Sequence, residues 1–317
     1  TLPTKPLYSV QDENGEVALC TLSAVNLGAL DSLDELEDIT EIIVRSLYCL
    51  LDYQDYPLKS AELTSNNRRT LGIGVTNLAY YLAKNDAKYS DGSGNELIHK
   101  TFEALQFYSL KASNKLAIEF GACPLFSETQ YAQGILPVDS YKKDIDVFCN
   151  TKLELDWDSL RKDIKTSGLR NSTLTALMPC ESSSQISNST NGIEPPRGFV
   201  SVKQSKDGIL KQVVPEYEKL HKKYELLWDI KDNEGYLQLC AIMQKFVDQS
   251  ISTNTHYDPS KFEGNRVPMK LFLMDLLKAY KYGIKTLYYH TTRDGASDDQ
   301  SINNPSDDDC EDGVCKL

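Results

Sequence analysis

Runs of apolar residues follow two rhythms along this chain. Val17 to Leu22 (VALCTL) is a short apolar run after the turn-like Asp12-Glu13-Asn14-Gly15, and it predicts a buried strand. Behind Ser32 and Glu35, a capping-box pair, Leu33, Leu36, Ile39, Ile43, Leu47 and Leu50 recur at helical spacing. Ser93 and Glu96 repeat that pair ahead of Leu97, Phe102, Leu105, Leu116 and Phe120, and Gly121 closes the predicted helix. Asp156 to Thr166 predicts a shorter helix, with Gly168 just beyond its end. Thr173 to Met178 (TLTALM) predicts a second buried strand, stopped by Pro179. Helical patterns dominate from Pro215 to Ser252, including Tyr236 to Val247. Pro268 suits the first turn of a helix reaching Tyr282, which Gly283 ends, and Ile284 to Tyr289 (IKTLYY) is strand-like.

Strands alternating with helices over the first two hundred residues predict an α/β core, and the last strand is free to rejoin its sheet. The expected division is 1–206 for that core, 207–292 for a helical segment returning to a final strand, and 293–317 for a tail. The tail differs in kind. Eight of its residues are Asp or Glu and two are Lys or Arg, so it carries −6 of the chain's −12. With almost no large apolar residues it cannot offset the entropy of ordering, which predicts disorder.

Composition narrows the functional classes. A chain of 317 residues buries one large core or two smaller ones. The net charge of −12 argues against grip on nucleic acid or an anionic membrane, both densely negative. No run approaches the roughly 18 apolar residues of a membrane span, and no basic-then-apolar segment reads as a signal peptide. The first residue is Thr1, which predicts a processed, excised or truncated chain. Eight scattered cysteines predict a cytoplasmic protein with reduced thiols.

Candidate chemistry begins in the tail. Cys310-Glu311-Asp312-Gly313-Val314-Cys315 places two cysteines five apart with a glycine between them. A flexible dithiol of this kind suits thiol–disulfide exchange, because the attacking sulfur must be accessible. Two incidental surface cysteines, or a metal site, are the other readings; zinc asks for four ligands, and only His290 is near in sequence. Cys20, inside an apolar run, reads on its own as inert packing. Met178 to Gln185 follows a predicted strand and opens a helix, where unpaired N–H groups and several hydroxyls suit a phosphate. Glu181 opposes that unless its carboxylate turns away, and a Ser-rich N-cap is the ordinary alternative. Tyr288-Tyr289 ends a strand, where tyrosines commonly pack a sheet.

The strings VALCTLS, RRTLGIGVTNLAYYLA, GLRNSTLTALMP, ISNSTNGIEPPRG, KTLYY and the terminal CxxxxC, in that order, resemble the large subunit of class I ribonucleotide reductases from Thr1 to Leu317. The resemblance implies about half of a ten-stranded α/β barrel, and reduction of ribonucleoside diphosphates to deoxyribonucleotides. It implies that Cys20 is one of two cysteines that supply the reducing electrons. Cys310 and Cys315 then match the mobile dithiol that renews them, itself renewed by thioredoxin or glutaredoxin. Tyr288 and Tyr289 match a radical-relay pair. Pro179, Cys180, Glu181, Ser182 and Ser183 match the segment holding the substrate diphosphate, and Leu22 matches a residue lining the pocket.

Cys180 departs from the family, which more often has Ser there, and a thiol is the poorer donor. The family's Asn-Leu-Cys-Leu-Glu segment, with its radical cysteine, has no counterpart among these residues. The resemblance therefore implies a partial subunit, with neither metal nor cofactor of its own. Its partners would be the N-terminal part of the subunit and a small subunit with a radical-generating metal centre. Two other functions compete: a non-catalytic assembly fragment, and a freestanding thiol oxidoreductase. The second predicts a CxxC in a folded domain, which is absent.

Overall fold

Parallel runs laid side by side form the frame of the molecule. The computed structural model describes residues 15–205, 208–293, 310–311 and 314–315. Strand β1 (Leu22–Asn26) pairs in parallel with β2 (Gly72–Thr76), Leu22 facing Gly72 and Asn26 facing Thr76. Residues 173–177 continue the set through a parallel bridge from Ile73 to Thr175, and a second bridge joins Leu177 to Ile251. After the antiparallel hairpin of β3 (Val200–Ser205) and β4 (Gly208–Val213), β5 (Thr253–Tyr257) pairs in parallel with β6 (Leu287–Thr292). The last strand pairs with β5, inside the expected segment 207–292, and that pair meets the first part through the single Leu177–Ile251 bridge. Five parallel runs thus stand in a row, the half-barrel expected from the sequence, and they do not close among the described residues.

Helices cross between the runs. They are α1 (Glu35–Tyr53), α2 (Lys59–Arg68), α3 (Leu78–Lys84), α4 (Asn95–Phe120), α5 (Pro137–Ser140), α6 (Trp157–Ser167), α7 (Glu181–Ile186), α8 (Tyr217–Leu220), α9 (Glu234–Gln244) and α10 (Met269–Tyr282). The helix α4 is the central one, burying Ile98, Phe102, Leu105, Leu110 and Leu116 in a core that also takes Leu36, Val44 and Leu47 of α1. Burying each such side chain contributes about 1.5–3 kcal/mol. At its rim Lys111 pairs with Glu37 at 2.7 Å and Lys115 with Glu41 at 2.6 Å. No helix among the described residues is long and apolar enough to cross a membrane.

Several expectations need correction. The first strand starts at Leu22 rather than Val17, because only from there does β2 run alongside. Val17 donates instead to the Ser60 carbonyl at 3.3 Å, and Cys20 is exposed rather than buried in a strand. Neither capping box forms. Ser32 Oγ accepts from the N–H of Asp34 at 3.2 Å, and Ser93 Oγ accepts from the N–H of Lys88 at 2.9 Å, so both hydroxyls are engaged away from the N3 position. The Thr173–Met178 run is held by single bridges. The final strand begins at Leu287, not Ile284. The Ile284 N–H closes α10 onto the Ala279 carbonyl at 3.0 Å, and Lys285 Nζ donates to the carbonyl of Asp248 at 2.7 Å, so both belong to the connection.

Strand β2 escapes sequence reading because it carries two glycines, and both are needed. A Cβ at Gly74 would stand 2.7 Å from the Ala176 carbonyl oxygen, and one at Gly72 would stand 2.5 Å from Leu22 Cδ2. Close approach of neighbouring backbone is a reason for glycine inside a strand.

In the tail, Cys310–Glu311 pairs antiparallel with Val314–Cys315, with the two cysteines opposite each other in register. The predicted disorder of 293–317 otherwise falls, Arg293 apart, on residues outside the described ones.

Candidate functional site

At the carboxyl ends of the parallel runs, asparagines clasp the loops together. Asn77, in the left-handed region at φ 68°, donates through Nδ2 to Asn26 Oδ1 at 2.9 Å, and its Oδ1 accepts the Thr190 N–H at 2.9 Å. Thr76 donates to the Thr190 carbonyl at 2.9 Å. The loop after α7 is thereby pinned onto the ends of β1 and β2.

The segment resembling the diphosphate cradle leaves the third run at this end. Pro179 is exposed and Cys180 buried, and Glu181, Ser182 and Ser183 open α7 facing solvent. Both donors of Cys180 are engaged inside the chain. Its N–H donates to Asn191 Oδ1 at 2.8 Å, and its thiol faces the carbonyls of Val75 at 3.6 Å and Met178 at 3.5 Å. Burial pushes the Cys180 thiol pKa up, against thiolate formation. Asn191 also donates to the Glu181 carboxylate at 2.7 Å, which ties that negative charge to the 188–192 loop. The first N–H groups of a helix have no partner inside it. What faces outward here is therefore the backbone start of α7 with the hydroxyl of Ser182, while Ser183 Oγ donates to the Cys180 carbonyl at 3.3 Å, and that surface suits an anion.

The tyrosine pair lies at the same end. Register carries the level of Leu177 across to Ile251, and β5 then sets Thr253 beside Leu287, immediately before Tyr288. The two rings are 4.0 Å apart between centroids, and 49% and 58% of the two residues is exposed. Hydrogen bonding to Tyr289 pushes the phenol of Tyr288 above its ordinary pKa. Cys20 is not brought beside them by register, since it precedes β1 at the opposite, amino ends of the runs. Leu22 rests on Gly72. For Cys310 and Cys315 only the backbone pairing is described, and their side chains lie outside the description.

Sequence reading missed the residues that hold this end together, namely Asn26, Asn77 and Asn191, with Asn254, whose amide donates to the Glu194 carboxylate. Asparagines beside glycine or at run ends were the available signal. Their partners, however, lie far along the chain, as with the 113 residues separating Asn77 from Thr190. No group of three His, Cys, Asp or Glu among the described residues is arranged to hold a metal ion.

Residues 7–290 match the family model for the ribonucleotide reductase barrel domain, and the chain belongs to that family. Over its full length it is 66% identical to the ribonucleoside-diphosphate reductase subunit alpha of Haemophilus influenzae, covering 41% of that protein. It is 66% identical to the ribonucleoside-diphosphate reductase 1 subunit alpha of Escherichia coli K12 over 84% of the chain and 35% of the relative. It is also 50% identical to the subunit alpha of enterobacteria phage T4 over 98% of the chain and 41% of the relative. The chain thus spans about two fifths of the length of the relatives it matches.

Proposed function

We infer that this chain supplies part of the catalytic barrel and the reductant machinery of a ribonucleoside-diphosphate reductase. The observation that carries the reading is similarity at 66% identity over its whole length to a named alpha subunit, with every candidate residue inside a matching stretch. In the reaction, the ribonucleoside diphosphate loses its 2′ hydroxyl as water, and two thiols give up two hydrogen atoms and close as a disulfide. Cys20 is one of those thiols. The second, together with the radical cysteine, comes from the part of the subunit that these 317 residues do not match.

Each candidate then has a role. The start of α7, with Ser182, Ser183 and the backbone from Pro179 to Glu181, holds the diphosphate, and Leu22 lines the pocket. Tyr288 and Tyr289 relay a radical from a small subunit whose metal centre generates it. Cys310 and Cys315 exchange their two hydrogens for the active-site disulfide, and thioredoxin or glutaredoxin reduces them in turn. Exchange through a tethered dithiol gains from high effective concentration.

The test replaces Cys310 and Cys315 with Ser in the assembled enzyme. Turnover driven by thioredoxin is expected to vanish, while a small dithiol that enters the site directly still supports it. Unchanged thioredoxin-driven rates would show that the tail is not the shuttle.

A further inference from the structure

Adjacent residues of a regular strand point to opposite faces, yet the rings of Tyr288 and Tyr289 stand 4.0 Å apart. The register of β5 against β6 explains this. Thr253 faces Leu287 and Thr255 faces His290, so the single residue Asn254 is opposed by both tyrosines. That is a β-bulge, one extra residue on β6, and bulges recur where a side chain must be re-aimed. Directly opposed residues share a side of the sheet. Leu287 and His290 therefore lie with Thr253 and Thr255, as the 2.6 Å contact between Thr255 Oγ1 and His290 Nδ1 confirms. Both tyrosines are left on the other side with Asn254.

A bulge frees a backbone N–H from the ladder, and a side chain takes this one. Asn254 Oδ1 accepts the Tyr289 N–H at 2.9 Å. The other end of the same amide donates through Nδ2 to the carboxylate of Glu194, which fixes which way the amide faces. Glu194 is partly buried, and its own N–H donates to the Asn191 carbonyl at 3.3 Å. Asn191 is the residue that accepts from Cys180 and donates to Glu181. One line of hydrogen bonds therefore runs from the start of α7 to the backbone of the tyrosine pair.

We propose that Asn254, oriented by Glu194, is a positioning residue: it holds the β6 bulge and so keeps both tyrosine rings on one side of the strand at contact distance. This rests on the reading of Tyr288 and Tyr289 as a relay, because only then does their mutual geometry govern turnover. Asn254 itself touches no substrate in this scheme; it acts through the Tyr289 N–H.

The experiment uses the assembled enzyme and two readouts, hydrogen exchange at the Tyr289 amide and the rate of deoxynucleotide formation. Asn254→Leu keeps most of the volume and removes both hydrogen bonds. It is expected to expose the Tyr289 amide and lower turnover by about tenfold to a hundredfold, the scale on which a misplacement of about an ångström costs rate. Nucleoside diphosphate binding should be unchanged. Asn254→Asp sets two carboxylates facing each other, so its activity should fall as pH rises. Adding Glu194→Gln restores one donor between the two side chains and leaves an acceptor for the Tyr289 N–H, so the double variant should regain both activity and amide protection. A merely structural role would not reproduce that swap. An amide that stays protected in Asn254→Leu overturns the proposal, as does an exposed amide with full turnover. If Tyr288→Phe and Tyr289→Phe both keep wild-type turnover, the relay reading itself fails, an outcome separate from the other two.

Discussion

The two strand pairs of this half-barrel are built on different principles. Between β1 and β2 the register runs unbroken, and glycines let neighbours approach so closely that side-chain atoms and carbonyls occupy the space of the missing Cβ atoms. Between β5 and β6 the register slips, and polar side chains absorb what the slip leaves unpaired. The first pair is fixed by packing, which tolerates little change in volume. The second is fixed by hydrogen bonds that set the direction of individual groups. Stability and function should therefore separate along this line.

The largest effect is expected at the second pair and in activity alone. Tyr288→Phe or Tyr289→Phe removes a phenolic O–H from a half-exposed side chain, and should abolish reduction in the assembled enzyme. The free energy of unfolding should change by no more than about 0.5 kcal/mol, as for most surface substitutions. Substantial retained activity would reduce the pair to sheet packing.

At the first pair the order reverses. Gly74→Ala brings a Cβ to 2.7 Å from the Ala176 carbonyl and Met178 Sδ. Met178 can give way, but the carbonyl belongs to the paired run. A loss of about 1–3 kcal/mol in denaturant unfolding is expected. Wild-type stability would mean that β2 and the 173–177 run can spread apart.

Acid sharpens the contrast next. Burial holds His99 and His256 at about 4, below the ordinary 6.5, with His256 lying on β5. The unfolded chain therefore binds protons that the folded chain refuses. Their stabilisation is full above the ordinary histidine value and is lost as pH falls from 6.5 towards 4. The expected cost is about 2 kcal/mol per histidine between about pH 7 and pH 5. Burial raises the Glu194 carboxyl, which works with the opposite sign and costs stability as pH rises through its folded value. Urea midpoints of the wild type and of His256→Asn across this range give the histidine share, and parallel curves would place the acid sensitivity elsewhere.

The smallest effect belongs to the pairing of α1 with α4. Lys115→Gln breaks the 2.6 Å pair with Glu41 at a solvent-facing rim, worth less than about 1 kcal/mol. A larger loss would show that α1 and α4 depend on charge as well as on their apolar faces.

Legibility in the sequence followed the same division. Local patterns revealed α1, α4, α6 and α10, and Gly121, Gly168 and Gly283 marked the ends of the last three. The polar run of β5, Thr-Asn-Thr-His-Tyr, carries no apolar strand signal, and its ladder comes from β6, more than thirty residues on. Motif resemblance picked out Tyr288, Tyr289 and the start of α7. It gave no hint of Asn254, whose partners are 60 residues upstream and 35 downstream. The apolar neighbours of Cys20 suggest burial, yet it is exposed.

The extra residue in β6 also imposes a rule of counting. Side chains in a strand obey an odd–even alternation, and the bulge breaks it once, between Leu287 and His290. Two neighbouring tyrosines can share a side only while that break persists. Deleting one residue from this stretch would restore strict alternation and leave no pair, even with a tyrosine still present. Inserting one would separate the rings along the strand. The spacing from Leu287 to His290 is thus as much a part of the site as the phenols themselves, and a homologue could keep both tyrosine letters yet lose their contact through a single gap.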